Sequence, residues 1–299
     1  MLHHSSPSEL GQSFIGVAGW NYPHWQSLLE LPSESRPHAA VQRLSTMFNL
    51  LEITSSYYHP PEAKTVQAWL DAISAERSFY FTARLWNKLM RERTLLLQND
   101  IRLMKAALTP LHEAGRLGAV LVPVLSTLRY SESNELWLLS LLDAFAEYPL
   151  FVENMHASWT KSDTLLRLQD RGIGVVQTEV PESPRPAALT QISAKRVAYF
   201  RCSGALSSAN VRDENYFYTN TELADFALKI KHMLPHLSAC FVVFHNHAHG
   251  HALANALQLQ HACNGTPVIL SPPLRQAFPT LQNLTPQPRF QRDLFEESI

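Results

Sequence analysis

Residues 239–259, ACFVVFHNHAHGHALANALQL, contain one complete strand–turn–helix unit of this chain. The apolar run 239–245 is typical of a buried strand, and residues 250–263 have the pattern of a helix. Histidines at positions 245, 247, 249 and 251 surround the turn between them. Units of the same kind recur along the chain, and their number decides the fold.

Apolar strand-like runs alternate with helical patterns from one end of the chain to the other. We predict eight strands, over residues 14–18, 50–54, 79–84, 119–123, 150–153, 174–178, 197–201 and 239–245. Helices are predicted near residues 38–48, 62–76, 95–115, 133–147, 161–171, 221–234 and 250–263. Eight such units in 299 residues favour a single-domain α/β fold, the TIM-type (β/α)8 barrel. The alternative is a doubly wound open sheet, but no G-x-G-x-x-G follows the first strand.

We expect a flexible N-terminus over 1–12, the barrel over 13–264 and a proline-rich C-terminal tail over 265–299. The 45% hydrophobic and 17% charged content is that of a soluble globular protein, and a net charge of -1 gives no global attraction to nucleic acid. The three cysteines form no C-x-x-C, the start has no apolar signal region, and no apolar run could span a bilayer. These features predict a cytoplasmic protein with no membrane partner.

Polar and aromatic residues gather at the carboxyl ends of the predicted strands, where barrels of this kind carry their chemistry. The acid–base candidates are Glu52, Glu153 and His156, and the ligand-binding candidates are Trp20, Tyr22, Arg84, Arg201, His245 and Asn246. Aromatic rings at this rim either pack on the barrel or stack on a sugar or base.

Glu52 and Glu153 each lie in a mainly apolar strand, where an unpaired carboxylate would be costly. One interpretation is a structural ion pair inside the barrel, with Arg84 or Arg201 as the partner. The other makes the carboxylates general acid–base groups, with His156 as the acid, while the two arginines bind an anionic group.

Five blocks of the sequence resemble those of one family, in the family's order. They are IGVAGWNYPHW (15–25), FNLLEITSSYYHPPEAKTVQAW (48–69), FVENMHASW (151–159), YFRCSG (199–204) and FHNHAHGHALANALQL (244–259). They are similar to the motifs of the domain of unknown function 72, or YecE-like, family. The resemblance implies a TIM-type barrel and no particular reaction, because the family is biochemically undefined.

The chain also departs from the family pattern. Arg84 replaces a lysine, Met90-Arg91 a Thr-His pair, Pro123 a glutamine, Met155 an arginine, Ser203 a histidine, and His245 the first of two asparagines. The family's strand-six aspartate corresponds to Glu179. Glu52, Glu153, His156, Arg201, Asn246 and Asn255 are retained. Either the activity has diverged, or the site binds a ligand without turning it over.

The four histidines of HNHAHGH are two residues apart. On an extended chain this spacing places their side chains on the same side, where they could bind a divalent metal ion. Only Asn246 and Gly250 fall on family motif positions, which favours a solvent-facing loop instead. We therefore predict no metal ligands and no cofactor.

A basic cluster follows two strand ends, although the chain has no overall positive charge. It consists of Arg84, Lys88, Arg91, Arg93 and Arg201. The cluster predicts phosphate or carboxylate binding, and the alternative is a solvated basic helix start after the third strand.

The proline-rich tail contains QRDLF, residues 291–295, which resembles the Q-x-x-L-F peptide of bacterial sliding-clamp binders. In such peptides the residues corresponding to Leu294 and Phe295 fill an apolar pocket, and the one corresponding to Gln291 hydrogen-bonds beside it. Alternatively, Leu294 and Phe295 pack on the barrel.

We therefore predict a YecE-like barrel protein that binds a small phosphate-bearing ligand at its carboxyl-terminal rim. It would be a hydrolase or isomerase acting on a phosphorylated sugar or nucleic acid. The alternative is a non-catalytic, nucleic-acid-associated binding protein that docks the sliding clamp through its tail.

Overall fold

The computed structural model of the chain describes residues 11–32, 38–92, 98–153, 155–161, 163–179, 196–204, 215–265, 267–268 and 270–284. Arg93 and the QRDLF motif lie outside these ranges, and so does the predicted flexible N-terminus up to residue 10. The clamp-binding role of Gln291, Leu294 and Phe295 therefore stays a prediction.

Nine parallel strands, all in one sheet, are present in the described part of the chain. They are β1 (Gln12–Ala18), β2 (Leu50–Ile53), β3 (Tyr80–Arg84), β4 (Leu117–Pro123), β5 (Leu150–Glu153), β6 (Gly174–Val175), β7 (Gln177–Glu179), β8 (Val197–Cys202) and β9 (Ala239–Phe244). Each predicted strand is present, and the TIM-type barrel is confirmed.

The predicted sixth strand, 174–178, forms two short strands instead of one. β6 pairs with β5, whereas β7 pairs with β8. Val176 lies between them and donates its N–H to the carbonyl of Val152. The chain changes neighbours at this residue, and the change brings the two edges of the sheet together into a nearly closed barrel.

Helices cover the outside of the barrel in the described ranges. They are α1 (Trp25–Leu28), α2 (Ala39–Met47), α3 (Ala63–Asp71), α4 (Lys88–Arg91), α5 (Gln98–Glu113), α6 (Glu132–Asp143), α7 (Thr164–Asp170), α8 (Asn220–Met233), α9 (His251–Asn264) and α10 (Pro272–Ala277). Seven of them correspond to the predicted helices. The sequence pattern missed α1, α4 and α10, which span only four to six residues each.

The barrel interior changes from apolar to charged along the strands. At the amino-terminal end, Phe14, Tyr80 and Phe241 form an aromatic plug, with ring centroids 4.7 to 5.7 Å apart. Tyr199 belongs to the inner cluster, while its neighbours Ala198 and Phe200 pack in the outer core beneath the helices. This alternation directs Arg201, two residues after Tyr199, into the barrel at its carboxyl-terminal end.

Part of the segment beyond residue 264 also packs on the barrel. α10 and the following 3-10 helix, Pro279–Leu284, bury Leu274 and Leu281 completely. The Ser271 hydroxyl caps α10 and also donates to the carbonyl of Leu28 at 2.8 Å. Residues 270–284 thus belong to the folded unit. Within the described residues, no helix is both long and apolar enough to cross a membrane.

Candidate functional site

A chain of ion pairs crosses the carboxyl-terminal end of the barrel. Arg201 on β8 donates through one terminal nitrogen to Glu52 Oε1 at 2.7 Å and through the other to Glu153 Oε2 at 2.6 Å. Arg84 on β3 donates to Glu153 Oε1 through Nε at 3.0 Å and Nη2 at 2.7 Å. The four side chains that the sequence predicted at these strand ends therefore meet, and both glutamates form ion pairs with arginines inside the barrel.

Two further residues, which sequence reasoning missed, extend this chain toward the barrel centre. The Tyr199 hydroxyl donates to Glu52 Oε2 at 2.9 Å, and the Thr82 hydroxyl lies 3.0 Å from the Tyr199 oxygen. Since Tyr199 has a single proton, Thr82 is the donor of the second bond. The signal was available in principle, because Tyr199 lies two residues before Arg201 and Thr82 two before Arg84, each on the same face of its strand.

Charge pairing keeps Glu153 and Arg201 ionised. Burial alone would raise the pKa of the Glu153 carboxyl, but the charges and hydrogen bonds of Arg201 and Arg84 lower it to about 2. Burial opposes the charge of Arg201, yet Glu52 and Glu153 raise its pKa above the ordinary value. Burial and the adjacent Glu52 raise the pKa of Tyr199 well above its ordinary value, so this hydroxyl remains a donor.

The network is graded in depth. The exposed fraction of the side chain is 16% for Arg84, 4% for Arg201, 3% for Glu153 and 0% for Glu52. Both arginines line a cavity of about 530 Å³ at the mouth of the barrel, whereas neither glutamate is among its described lining residues. Guanidinium groups therefore border the cavity, and the carboxylates lie behind them.

Some hydrogen-bond donors of these arginines are not used by the carboxylates. Arg201 Nε is buried and has no hydrogen-bond partner in the described part of the chain. Arg84 bonds Glu153 through Nε and Nη2, while its guanidinium group lies 4.3 Å from the centre of the Tyr57 ring. Held by a carboxylate on one side and an aromatic face on the other, Arg84 is fixed before any ligand arrives.

His245 is the one histidine of HNHAHGH among the described lining residues of the cavity. Burial, followed by the charges of Arg201 and Arg84, holds its pKa well below 6.5. The imidazole is therefore neutral at pH 7 and offers one donor and one acceptor.

Asn246 lies in the strand–helix turn, and the described lining of the cavity does not include it. Its amide nitrogen donates to the carbonyl of Tyr216 at 2.8 Å and to Asn255 Oδ1 at 3.0 Å, while Asn255 in turn holds the backbone of Tyr218. These bonds give Asn246 a place in the turn structure. The ligand-binding role predicted for it stays a prediction.

The other predicted site residues also lie outside this described lining. His156 Nδ1 accepts the backbone N–H of Ser158 at 3.0 Å, so the neutral ring carries its proton on Nε2. Trp20 packs edge-on against Trp69 with centroids 5.1 Å apart. Tyr22 donates to the carbonyl of Ala18 and stacks on His247 at 4.3 Å.

The basic cluster separates in the structure. Arg84 and Arg201 reach the cavity, whereas Lys88 pairs with Asp100 at 2.8 Å and Arg91 lies exposed at the end of α4. In the part of the chain that the structure describes, no three His, Cys, Asp or Glu side chains form a group that could hold a metal ion.

Residues 14–278 match the family described as protein of unknown function DUF72. The chain belongs to the DUF72 family. A DUF72 family protein of Enterococcus faecalis V583 has a similar structure, with a TM-score of 0.71, 20% identity, and coverage of 87% of this chain and 98% of that one. For a DUF72 family protein of Thermotoga maritima MSB8 the TM-score is 0.69, with 24% identity and coverage of 83% and 97%. No curated protein matches the sequence.

Most of the departures from the family pattern that the sequence resemblance indicated lie at the cavity. Its lining includes five of them, namely Arg84, Pro123, Met155, Ser203 and His245. Met90, by contrast, is a fully buried core residue, and the side chain of Glu179 lies outside the described residues. The side chains that line this cavity therefore differ from those of the family pattern.

Proposed function

We propose that this DUF72 protein binds a small phosphate-bearing ligand in the cavity at the carboxyl-terminal mouth of its barrel. The main support for this proposal is the orientation of the ion-pair network: Arg84 and Arg201 line the cavity, while Glu52 and Glu153 lie behind them. Two guanidinium groups held in place by carboxylates are preorganised donors for an anion.

The network has no net formal charge, since two arginines face two glutamates. Binding must therefore depend on directed hydrogen bonds more than on a positive field. The part of the Arg84 guanidinium that Glu153 leaves unused is such a donor, since the Arg84 side chain is 16% exposed. Neutral His245 adds a donor or acceptor at the same wall.

Titration calorimetry with inorganic phosphate and glycerol 3-phosphate tests the proposal. Arg84→Lys keeps the charge but loses the planar fork, which holds Glu153 through two nitrogens and leaves the third in a fixed direction for the ligand. We expect about a tenfold loss of affinity, equivalent to about 1.4 kcal/mol. Arg102→Lys, on the exposed face of α5, is the matched control and should bind as the wild type does. Equal affinity in all three proteins would refute the proposal.

The acid–base roles predicted for Glu52, Glu153 and His156 stay predictions. In support of a binding role, both glutamates are held by Arg201, and a carboxyl group whose pKa is about 2 is a weak base at pH 7. Glu153→Gln separates the two possibilities: it would abolish turnover by a catalytic Glu153, whereas the glutamine Oε1 can still accept from Arg84 and keep this donor in place for a bound anion.

A further inference from the structure

The cavity has two unlike sides. Charged and polar side chains line it from the ends of β3, β8 and β9: Arg84, Arg201, Ser203 and His245. Further lining residues follow the ends of β4 and β5, on the other side of the barrel from β8 and β9. Among them Ser126 carries a hydroxyl, and four have no charged or hydrogen-bonding side chain: Pro123, Val124, Leu125 and Met155. We call these four residues the apolar wall.

Two adjacent residues of the apolar wall offer a ligand no backbone N–H. Pro123 has no N–H, and the N–H of Val124 is shared between the carbonyls of Val122 and Glu153, each at 3.0 Å. The carbonyl of Leu125 accepts from the N–H of Leu128 at 2.8 Å. A polyhydroxylated body placed here would lose bonds to water without replacing them, whereas an apolar body would not.

We propose that the ligand is a phosphate monoester of a planar, apolar group, with its phosphate at the arginines and its ring on the apolar wall. This inference rests on the proposed phosphate-binding function. The volume of about 530 Å³ falls within the usual range for small-molecule pockets and leaves room for a body beyond the phosphate. The Met155 thioether is suited to contact with an aromatic ring, and Tyr57 is a further aromatic residue in the lining of the same cavity.

Phenyl phosphate and glycerol 3-phosphate form a matched pair of probes. Both are phosphate monoesters, and they differ in the organic group attached to the phosphate. Calorimetric titration of the full chain should give at least about tenfold tighter binding of phenyl phosphate, since its ring buries apolar area on the wall.

Met155→Gln places a polar amide of similar length in the wall. We expect it to weaken phenyl phosphate about fivefold and to leave glycerol 3-phosphate unchanged, because only the ring contacts the wall. Leu125→Gln is a second variant, in case the first does not fold. Leu136→Gln is the control, since Leu136 on α6 is 70% exposed and outside the described lining of the cavity.

The outcomes distinguish this inference from the function on which it rests. Equal affinity for the two esters, with loss of both in Arg84→Lys, would overturn the apolar ligand and leave phosphate binding in place. No binding of either ester would overturn both. A phenyl preference that Met155→Gln and Leu125→Gln leave intact would also overturn the inference, because the ring would then lie elsewhere.

Discussion

Arg201 is the residue on which the candidate site depends. Its guanidinium group joins Glu52 on one side and Glu153 on the other, at 4% side-chain exposure, and no water layer separates the three charges. Removing one member of such a buried group leaves the others uncompensated, which costs far more than an exposed ion pair contributes. The same bonds that stabilise the fold therefore orient the cavity's donors.

Glu153→Gln tests how much the ionised carboxylate of Glu153 contributes to the stability of the fold. The folded-state pKa of about 2 lies below the ordinary 4.5, so the carboxylate stabilises the fold above about pH 4.5, and this contribution is lost as the pH falls toward 2. We expect a loss of about 3 kcal/mol in unfolding free energy at pH 7, and a clearly smaller loss at pH 3. Urea denaturation at pH 7, 5 and 3 measures both values.

Glu113→Gln, on the exposed surface of α5, is the control for that series and should change the unfolding free energy little at any of the three pH values. A loss in Glu153→Gln that is the same at pH 7 and pH 3 would show that ionisation of Glu153 does not stabilise the fold.

At the scale of elements, the HNHAHGH stretch is a strand-to-helix turn. Gly250 is the N-cap residue that precedes α9, and its φ of 82° lies in the left-handed region that favours glycine. A Cβ at this position would lie 2.4 Å from Leu28 Cδ1 on α1. The turn therefore favours a glycine for its backbone angle, and a methyl group here would also displace the end of the Leu28 side chain.

Gly250→Ala should cost about 2 kcal/mol of unfolding free energy, from the left-handed backbone and from displacement of Leu28. Gly265→Ala, at the other end of α9, is the matched control: its φ is 65°, but no atom of the described residues lies within 4 Å of the place that an alanine methyl group would take. It should cost only about 1 kcal/mol. Denaturant titration of the two variants compares them, and equal losses would show that the contact with Leu28 contributes nothing.

The strands were predictable because apolar runs of four to seven residues recur between helical patterns, and β1, β4 and β9 are buried almost throughout. The break at Val176 was not predictable, because it depends on which neighbouring strand each half of the strand pairs with.

At the site, the positions of residues in strands were easier to predict than those of residues in turns. Glu52, Arg84, Glu153 and Arg201 meet as strand alternation requires, whereas His156 and Asn246 follow strand ends, where alternation no longer fixes direction.

At the scale of the whole molecule, the sequence did not reveal that residues 270–284 pack on the barrel. Prolines in 265–299 hide the helical pattern of α10, which is only six residues long. Its burial depends on tertiary contact, since Ser271 bonds the carbonyl of Leu28 and Phe278 stacks on Phe217 at 5.8 Å. Such long-range contacts leave no periodic signal in a short segment.

Leu274→Ala tests whether this segment is part of the cooperative fold. Leu274 is completely buried, so its truncation should lower the unfolding free energy by about 3 kcal/mol in a single transition. Leu228→Ala on α8 is the control, because Leu228 is 55% exposed and its truncation should change stability by no more than about 0.5 kcal/mol. Both should bind phosphate as the wild type does, since neither residue is in the described lining of the cavity. A loss under about 1 kcal/mol for Leu274→Ala would mean that α10 detaches before the barrel unfolds, and the packing of 270–284 would then contribute little to the stability of the whole molecule.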